Sequence, residues 1–282
     1  MTYQALQFEC VRQQKFSRVV DEVSVCEFGN YWDERAAGYS AGVRKELEAA
    51  RYSDWADVLA RSSSGVRGRA IDAGRTPRAL DLGCGPGFFS IILARLGCKV
   101  DAVDSSVSML EEARANNLVA GTGERVTLHE SDVEKLPFGD NAFDLVVSRN
   151  VTWLLSDPRA AYAEWGRVLV PGGKLVVFDA NWYRYLVDPV IDAQRIMDEG
   201  CAGFSRLDVN GYASSEQEFR CEQIALSLPL TSSLRPEWDT AVLRDLGFRN
   251  VCADKGIWRR VWTEEEASFY GSSPMFLIEA TK

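Results

Sequence analysis

Apolar and polar positions along this chain switch between a period of two and a period near 3.6, and the switches mark its elements. A short apolar run ends at Asp81 and is followed by Gly83, Gly85 and Gly87 in alternation, a punctuation that ends a strand in a tight turn. Beyond the turn, Phe88, Phe89, Ile92, Leu93 and Leu96 recur at helical spacing, and Gly97 predicts the stop. Lys99 to Val103 reads as a second strand closing on Asp104. Val126 to His129 reads as a third, leading into Ser131-Asp132-Val133, and Phe143 to Ser148 as a fourth. Asp157 before Pro158 is an N-cap with proline at the first helical position, and Ala161, Trp165, Val168 and Leu169 supply the apolar stripe that follows. Pro171-Gly172-Gly173 predicts a break before a fifth strand, Lys174 to Phe178. Strands and helices in alternation predict a parallel sheet covered on both faces.

Outside this core the pattern is weaker. Residues 1 to 30 have little periodicity and read as an N-terminal extension. A helix start is expected at Tyr31-Trp32-Asp33, and residues 43 to 60 continue as an amphipathic helix. Serine, glycine and arginine crowd into Ser62 to Gly74, which predicts a flexible connection. After Asp179 the alternation stops, and an insertion running to about residue 235 must either disorder or cover something. Thr240 to Leu246, stopped by Gly247, reads as the final helix. Residues 248 to 258 and 275 to 280 read as two closing strands, with Trp258 to Glu266 as a loop between them. The division that follows is 1–74 for the N-terminal extension and its helices, 75–180 for the core, 181–236 for the insertion, and 237–282 for the closing helix and strands.

Composition narrows the function classes. A net charge of −9 and the absence of any basic run argue against a nucleic-acid partner, because phosphate binding draws on clustered Lys and Arg. No apolar stretch reaches the roughly 18 residues of a membrane span, and the first residues lack a signal-peptide pattern, so a cytoplasmic protein without a membrane partner is expected. Seven cysteines, at 10, 26, 84, 98, 201, 221 and 252, are scattered and never form C-x-x-C, which predicts neither a disulfide framework nor a metal site.

The glycine turn is the most specific feature. A dinucleotide fingerprint would place its last glycine at Phe88 or Ser90, so that reading fails. An acidic residue followed by G-x-G-x-G, with a second acidic residue, Asp104, about 20 residues on, resembles the cofactor loop of class I S-adenosylmethionine-dependent methyltransferases. The resemblance is good over residues 31 to 182, moderate over the last two strands and absent over residues 1 to 28. It implies a Rossmann-like α/β fold with a seven-stranded, mostly parallel sheet, its last strand antiparallel beside the fifth, and S-adenosyl-L-methionine as cofactor. It places Asp81 against the ammonium of the methionine part, and Gly83, Cys84, Gly85 and Gly87 close to the ribose. Asp104 takes the ribose hydroxyls with Ser105 and Met109 beside it, and Asp132 and Val133 meet the adenine. Cys84 reads as a small residue tolerated in the turn rather than a reactive thiol.

The same resemblance makes Tyr31, Trp32 and Tyr39 a helix start folding over the cofactor, with Tyr39 nearest the methyl donor; plain packing onto the sheet fits their spacing as well. Arg149 and Asn150 fall where the family's chain passes the methionine moiety, and Arg149 equally suits a substrate carboxylate. Trp153 and the cluster Asn181, Trp182 and Tyr183, with Tyr185, read as the wall of an apolar or aromatic substrate pocket, together with Tyr31. The resemblance makes the helices within 1–74 a lid and residues 181–236 a cap for substrate recognition, and the loop Trp258 to Glu266 is expected to reach the substrate as well. His129, the only histidine, ends the third strand on the adenine side, so a structural or adenine-edge role is favoured over that of a base. The segment Asn150-Val-Thr-Trp153 lacks the Asn/Asp-Pro-Pro-Tyr/Phe motif of amino-methylating enzymes acting on nucleobases or glutamine. The expected activity is methyl transfer to a small molecule by a monomer or homodimer. A binding protein without transfer activity and a protein methyltransferase stand as alternatives.

Overall fold

The computed structural model describes residues 25–49, 52–202 and 213–282. Most of the N-terminal extension and part of the segment after Asp179 lie outside the described residues. Seven strands form one sheet: β1 (Arg78–Leu82), β2 (Lys99–Asp104), β3 (Val126–Glu130), β4 (Phe143–Arg149), β5 (Leu169–Asp179), β6 (Arg249–Asp254) and β7 (Phe276–Thr281). Their order across it is β3-β2-β1-β4-β5-β7-β6. Strands β1 to β5 run parallel, and β7 enters antiparallel between β5 and β6, as in Asp179 opposite Phe276. The order reverses between β1 and β4. In an open parallel sheet such a reversal leaves a crevice beyond the strands' carboxyl ends.

Alternating side chains explain why the sheet is covered twice. Leu145 and Val147 of β4, with Val176 and Phe178 of β5, face Trp55, Leu59, Phe88, Phe89 and Ile92. Val146, Leu175 and Val177 face the other way, toward Tyr162, Trp165 and Leu243. The first cover comes from α1 (Val25–Glu48), α2 (Tyr52–Asp72), α3 (Phe88–Arg95) and α4 (Val107–Val119). The second comes from α5 (Pro158–Val168) and, after α6 (Pro189–Ala202) and α7 (Ser215–Leu226), from α8 (Glu237–Asp245). Asp157 caps α5 as expected, accepting from the Ala160 amide at 3.0 Å with Pro158 in the first turn. Among the described residues no helix is long and apolar enough to cross a membrane.

Four expectations are corrected. Tyr31 does not start a helix but lies inside α1. Ser62 to Gly74 is not a flexible connection, because α2 continues to Asp72. Its buried positions Trp55, Val58, Leu59, Ser62, Ser63, Val66 and Ala70 form a helical stripe in which serine replaces larger apolar residues, and Ser63 Oγ donates back to the Leu59 carbonyl at 2.6 Å. The fifth strand starts at Leu169, so Pro171-Gly172-Gly173 lies within its span, where Gly172 (φ +77°) donates to the Lys282 carbonyl. The stretch Trp258 to Glu266 is helical: α9 (Trp258–Val261) and α10 (Glu264–Phe269), the latter closed by a reciprocal Thr263–Glu266 capping box.

A buried ionic cluster joins the C-terminal half to the sheet. At the end of β5, Asp179 Oδ2 accepts from Arg235 Nη1 at 3.1 Å and from the Trp153 amide at 3.0 Å, while Thr152 Oγ1 also bonds it. Arg235 donates on to Asp239, which accepts from Tyr162 Oη at 2.6 Å. The Arg235 side chain is 1% exposed and both carboxylates are fully covered. Arg235→Met is therefore expected to cost about 3–5 kcal/mol, because two buried carboxylates lose their only shared cation. Urea unfolding measures it, and a loss under about 1 kcal/mol would contradict the role given to the cluster.

Candidate functional site

The glycine turn leaves β1 at the reversal point of the sheet. Gly83, Gly85 and Gly87 all adopt positive φ (+60°, +49° and +89°), where L side chains are strained. A Cβ on Gly83 would stand 2.3 Å from Val151 Cγ2, and one on Gly87 2.8 Å from Asn117 Nδ2, so the protein itself requires those two. At Gly85 the nearest atom would be Tyr39 Cε1 at 3.9 Å, which leaves open space beside that backbone. Asp104, at the tip of β2, holds the turn: its Oδ2 accepts from the Gly85 amide at 2.8 Å and its Oδ1 from the Ser106 amide at 3.0 Å. Burial raises the Asp104 pKa, opposed by these amides.

A cavity of about 180 Å³ opens beyond this turn. Its wall includes Gly83, Gly85, Asp104, Ser105, Met109, Asp132, Val133, Arg149, Asn150 and Tyr39 from the sequence-predicted set, together with Trp32, Val151, Leu154 and Ser156. Asp81, Cys84 and Gly87 are not on it. Asp81 is buried behind the turn, where it accepts from Ser90 Oγ at 2.6 Å, so it does not face a ligand as expected. Burial pushes its carboxyl up to about 7; Ser90 and Arg149 oppose that rise and Asp104 adds to it. Burial also raises the Cys84 thiol well above its ordinary value, which keeps it protonated and fits the small-residue reading.

Helix α1 brings Tyr39 over the turn because it is tied to α4. Asp33 Oδ1 accepts from Ser106 Oγ at 2.5 Å and from the Ser108 amide at 3.1 Å, and Asn116 Nδ2 bridges Ser40 Oγ and the Pro86 carbonyl. His129 is structural: its Nε2 meets Asp101 Oδ1 at 2.8 Å, its ring packs edge-on against Phe138, and it reaches neither cavity.

A second cavity, of about 300 Å³, adjoins the first. Trp32, Tyr39, Arg149 and Asn150 line both. Of the residues expected at a substrate pocket, Tyr31, Trp153, Trp182 and Tyr183 line the second cavity and Asn181 does not, its amide donating to the Arg235 carbonyl at 2.9 Å. Glu46 takes Arg149 Nη1 and Nη2 at 3.1 and 2.5 Å and the guanidinium stacks 4.5 Å from the Trp55 ring centroid, while its Nε is buried with no hydrogen-bond partner. Asn150 has a left-handed backbone (φ +59°), its amide donates to the Phe178 carbonyl, and its side-chain Oδ1 is buried with no hydrogen-bond partner. Such an orphaned acceptor costs about 1–3 kcal/mol unless a ligand supplies a donor. Sequence reasoning missed Glu46, Arg35, Cys221, Tyr270 and Met275 on the second wall, whereas Trp262 and Glu266 belong to the stretch it expected to reach the substrate, although as a loop.

Comparison with known proteins follows the same lines. Residues 80–177 match a family model described as a methyltransferase domain. A 37.1 kDa protein of transposon Tn4556 in Streptomyces fradiae is 37% identical over 142 residues, covering 48% of this chain and 40% of that protein. A malonyl-[acyl-carrier protein] O-methyltransferase of Legionella pneumophila is 42% identical over 101 residues, covering 35% and 34%. The chain therefore spans less than half the length of these curated relatives. A crystal structure from Methanococcus maripaludis, provisionally described as an S-adenosyl-L-methionine-dependent methyltransferase, superposes with a TM-score of 0.51 at 23% identity, covering 90% and 91%, and shares the fold.

Two outcomes are expected from the turn. Gly83→Ala should lower unfolding free energy by about 2 kcal/mol or more and Gly85→Ala by about 1, since only the former adds a protein clash to the strain of positive φ; urea melts that rank them the other way would refute this. Asp81, with its folded pKa near 7 against an ordinary value of 3.8, contributes stability that is complete below about pH 4 and is lost as pH rises through 7. Asp81→Asn should therefore flatten the fall of Tm between pH 4 and 7, which calorimetry across that range can test.

Proposed function

We propose, for a chain that belongs to the class I S-adenosylmethionine-dependent methyltransferase family, that it moves a methyl group from S-adenosyl-L-methionine to a small-molecule acceptor, with the cofactor in the first cavity and the acceptor in the second. The observation that supports this most is the meeting of two cavities at Tyr39, Arg149 and Asn150, beyond the reversal point of the sheet.

The residues present fit the cofactor. Asp104 keeps lone pairs for the ribose hydroxyls after serving two amides, and the clear space beside Gly85 admits the sugar close to backbone. Asp132 and Val133 offer a polar edge and an apolar face to adenine. The orphaned Asn150 Oδ1 is suited to the amino group of the methionine part, a place the sequence assigned to Asp81. Bound there, S-adenosylmethionine supplies a methyl already activated on a sulfonium.

What the chain must add is alignment. Tyr39 sits at the boundary with its hydroxyl bonded by the Asn150 side chain, and burial raises its pKa, so it stays neutral and rigid there. Arg149 walls both cavities, and Glu46, on the second, balances its charge. Holding two reactants in line is worth roughly 7–11 kcal/mol of barrier. Aromatic walls exclude water from the place of reaction.

Labelled S-adenosylmethionine added with a metabolite extract should yield labelled small products. Label on polypeptide alone would favour a protein methyltransferase, and cofactor binding without transfer a binding protein. Asp104→Ala should weaken binding of S-adenosylhomocysteine by about a hundredfold or more in titration calorimetry, since two charged hydrogen bonds at about 1.5–3 kcal/mol each are lost. An unchanged dissociation constant would remove Asp104 from the site.

A further inference from the structure

The second cavity is chemically biased. Trp182, Trp262 and Tyr270 are in mutual contact on its wall, with ring centroids 6.2 Å (Trp182–Trp262), 5.4 Å (Trp182–Tyr270) and 5.7 Å (Trp262–Tyr270) apart. Trp153 and Tyr183 form a second pair at 4.7 Å. Glu266 lines the same wall. Its carboxylate accepts from the Thr263 amide at 2.7 Å, and the guanidinium whose charge it feels, that of Arg149, is already bound twice by Glu46. Burial raises the Glu266 pKa, with Glu46 adding to the rise and Thr263 and Arg149 opposing it. A half-buried carboxylate among ring faces calls for positive charge, because both the carboxylate and the π faces attract a cation. An anion placed here would meet the Glu266 carboxylate, the Glu46 and Arg149 charges beside it being spent on each other. Arg35, on the same wall, donates to Tyr31 Oη at 3.0 Å, and Glu218 shares the wall with it.

We propose that this cavity takes a small amine with an apolar or aromatic body, its protonated nitrogen set between the Glu266 carboxylate and the rings of Trp182, Trp262 and Tyr270. The proposal rests on the reading of the second cavity as the acceptor site. A nitrogen held as ammonium has no free electron pair. Glu266 is the group that frees it: the N–H bond breaks with its pair left on nitrogen, an O–H bond forms on the carboxylate, and both charges vanish without another reagent.

Tryptophan fluorescence of the full chain is titrated with benzyltrimethylammonium, with its neutral carbon isostere and with phenylacetate. The cation should bind about tenfold or more tightly than either other probe. Glu266→Gln, whose amide oxygen can still accept from Thr263, should remove about tenfold of that affinity and leave the neutral probe unchanged. Tyr270→Leu should weaken the cation selectively as well, and it decides the matter alone if the first variant fails to fold. Calorimetry with S-adenosylhomocysteine on the same samples separates the two levels of inference. If S-adenosylhomocysteine binds but the cation has no advantage, or phenylacetate binds better, the amine site is overturned while the cofactor reading stands. If S-adenosylhomocysteine does not bind the native chain, the cofactor reading falls and the amine site with it.

Discussion

A carboxylate at the end of β5 is held in a dry place by everything around it, and much of the molecule is positioned as a result. Asp179 accepts from the Ala180 amide and Trp182 Nε1 on one oxygen, and from Thr152, the Trp153 amide and Arg235 on the other. A buried carboxylate with fewer partners would be too costly to keep ionised. Satisfying it draws three distant stretches of chain together: the turn after β4, the segment after β5 and the residue preceding α8. Trp153 and Trp182 are two of the groups it orients, and both line the second cavity. The shape of the second cavity thus depends on a charge cluster that is not on its wall.

The Glu46–Arg149 pair plays a comparable part on the other side. Arg149 leaves the end of β4 into the crevice, where a free guanidinium would bind any anion. Glu46 from α1 takes its terminal nitrogens, and Trp55, Phe88 and Phe89 stack against its face. The consequence is a charge-balanced pair packed on aromatic rings where the two cavities meet. Helix α1 can supply Glu46 and Tyr39 together because Asp33, Ser40 and Arg44 fasten it to α4 along the same face.

The core was legible because its elements declare themselves locally. Period-two runs end in Asp81, Asp104 and Asp179, glycines mark the turns, and Asp157-Pro158 starts a helix. Helix α2 was misread for a local reason: Ser62 and Ser63 occupy buried positions of its stripe, and small polar residues look like loop in a sequence although they fit against a sheet. The two short helices after β6 were hidden in the same way, since each is too brief to show a period.

The site divides along the same line. Residues on the tips of β1, β2 and β4 could be named from the chain alone, because a strand end in a parallel sheet fixes where its next residue must lie. Their partners could not. That Asp81 turns to Ser90, that Glu46 occupies Arg149 and that Asn150 Oδ1 is left without a donor are outcomes of packing between elements far apart in sequence. So is the second wall, assembled from α1, α7, α10 and the turns after β4 and β5. Local periodicity and turn chemistry determined the alternation of strands and helices, and the glycine turn carried the resemblance that implied the sheet's order and the cofactor. The folded chain decided which polar groups satisfy one another and which remain for a ligand, because that depends on distances no local pattern encodes.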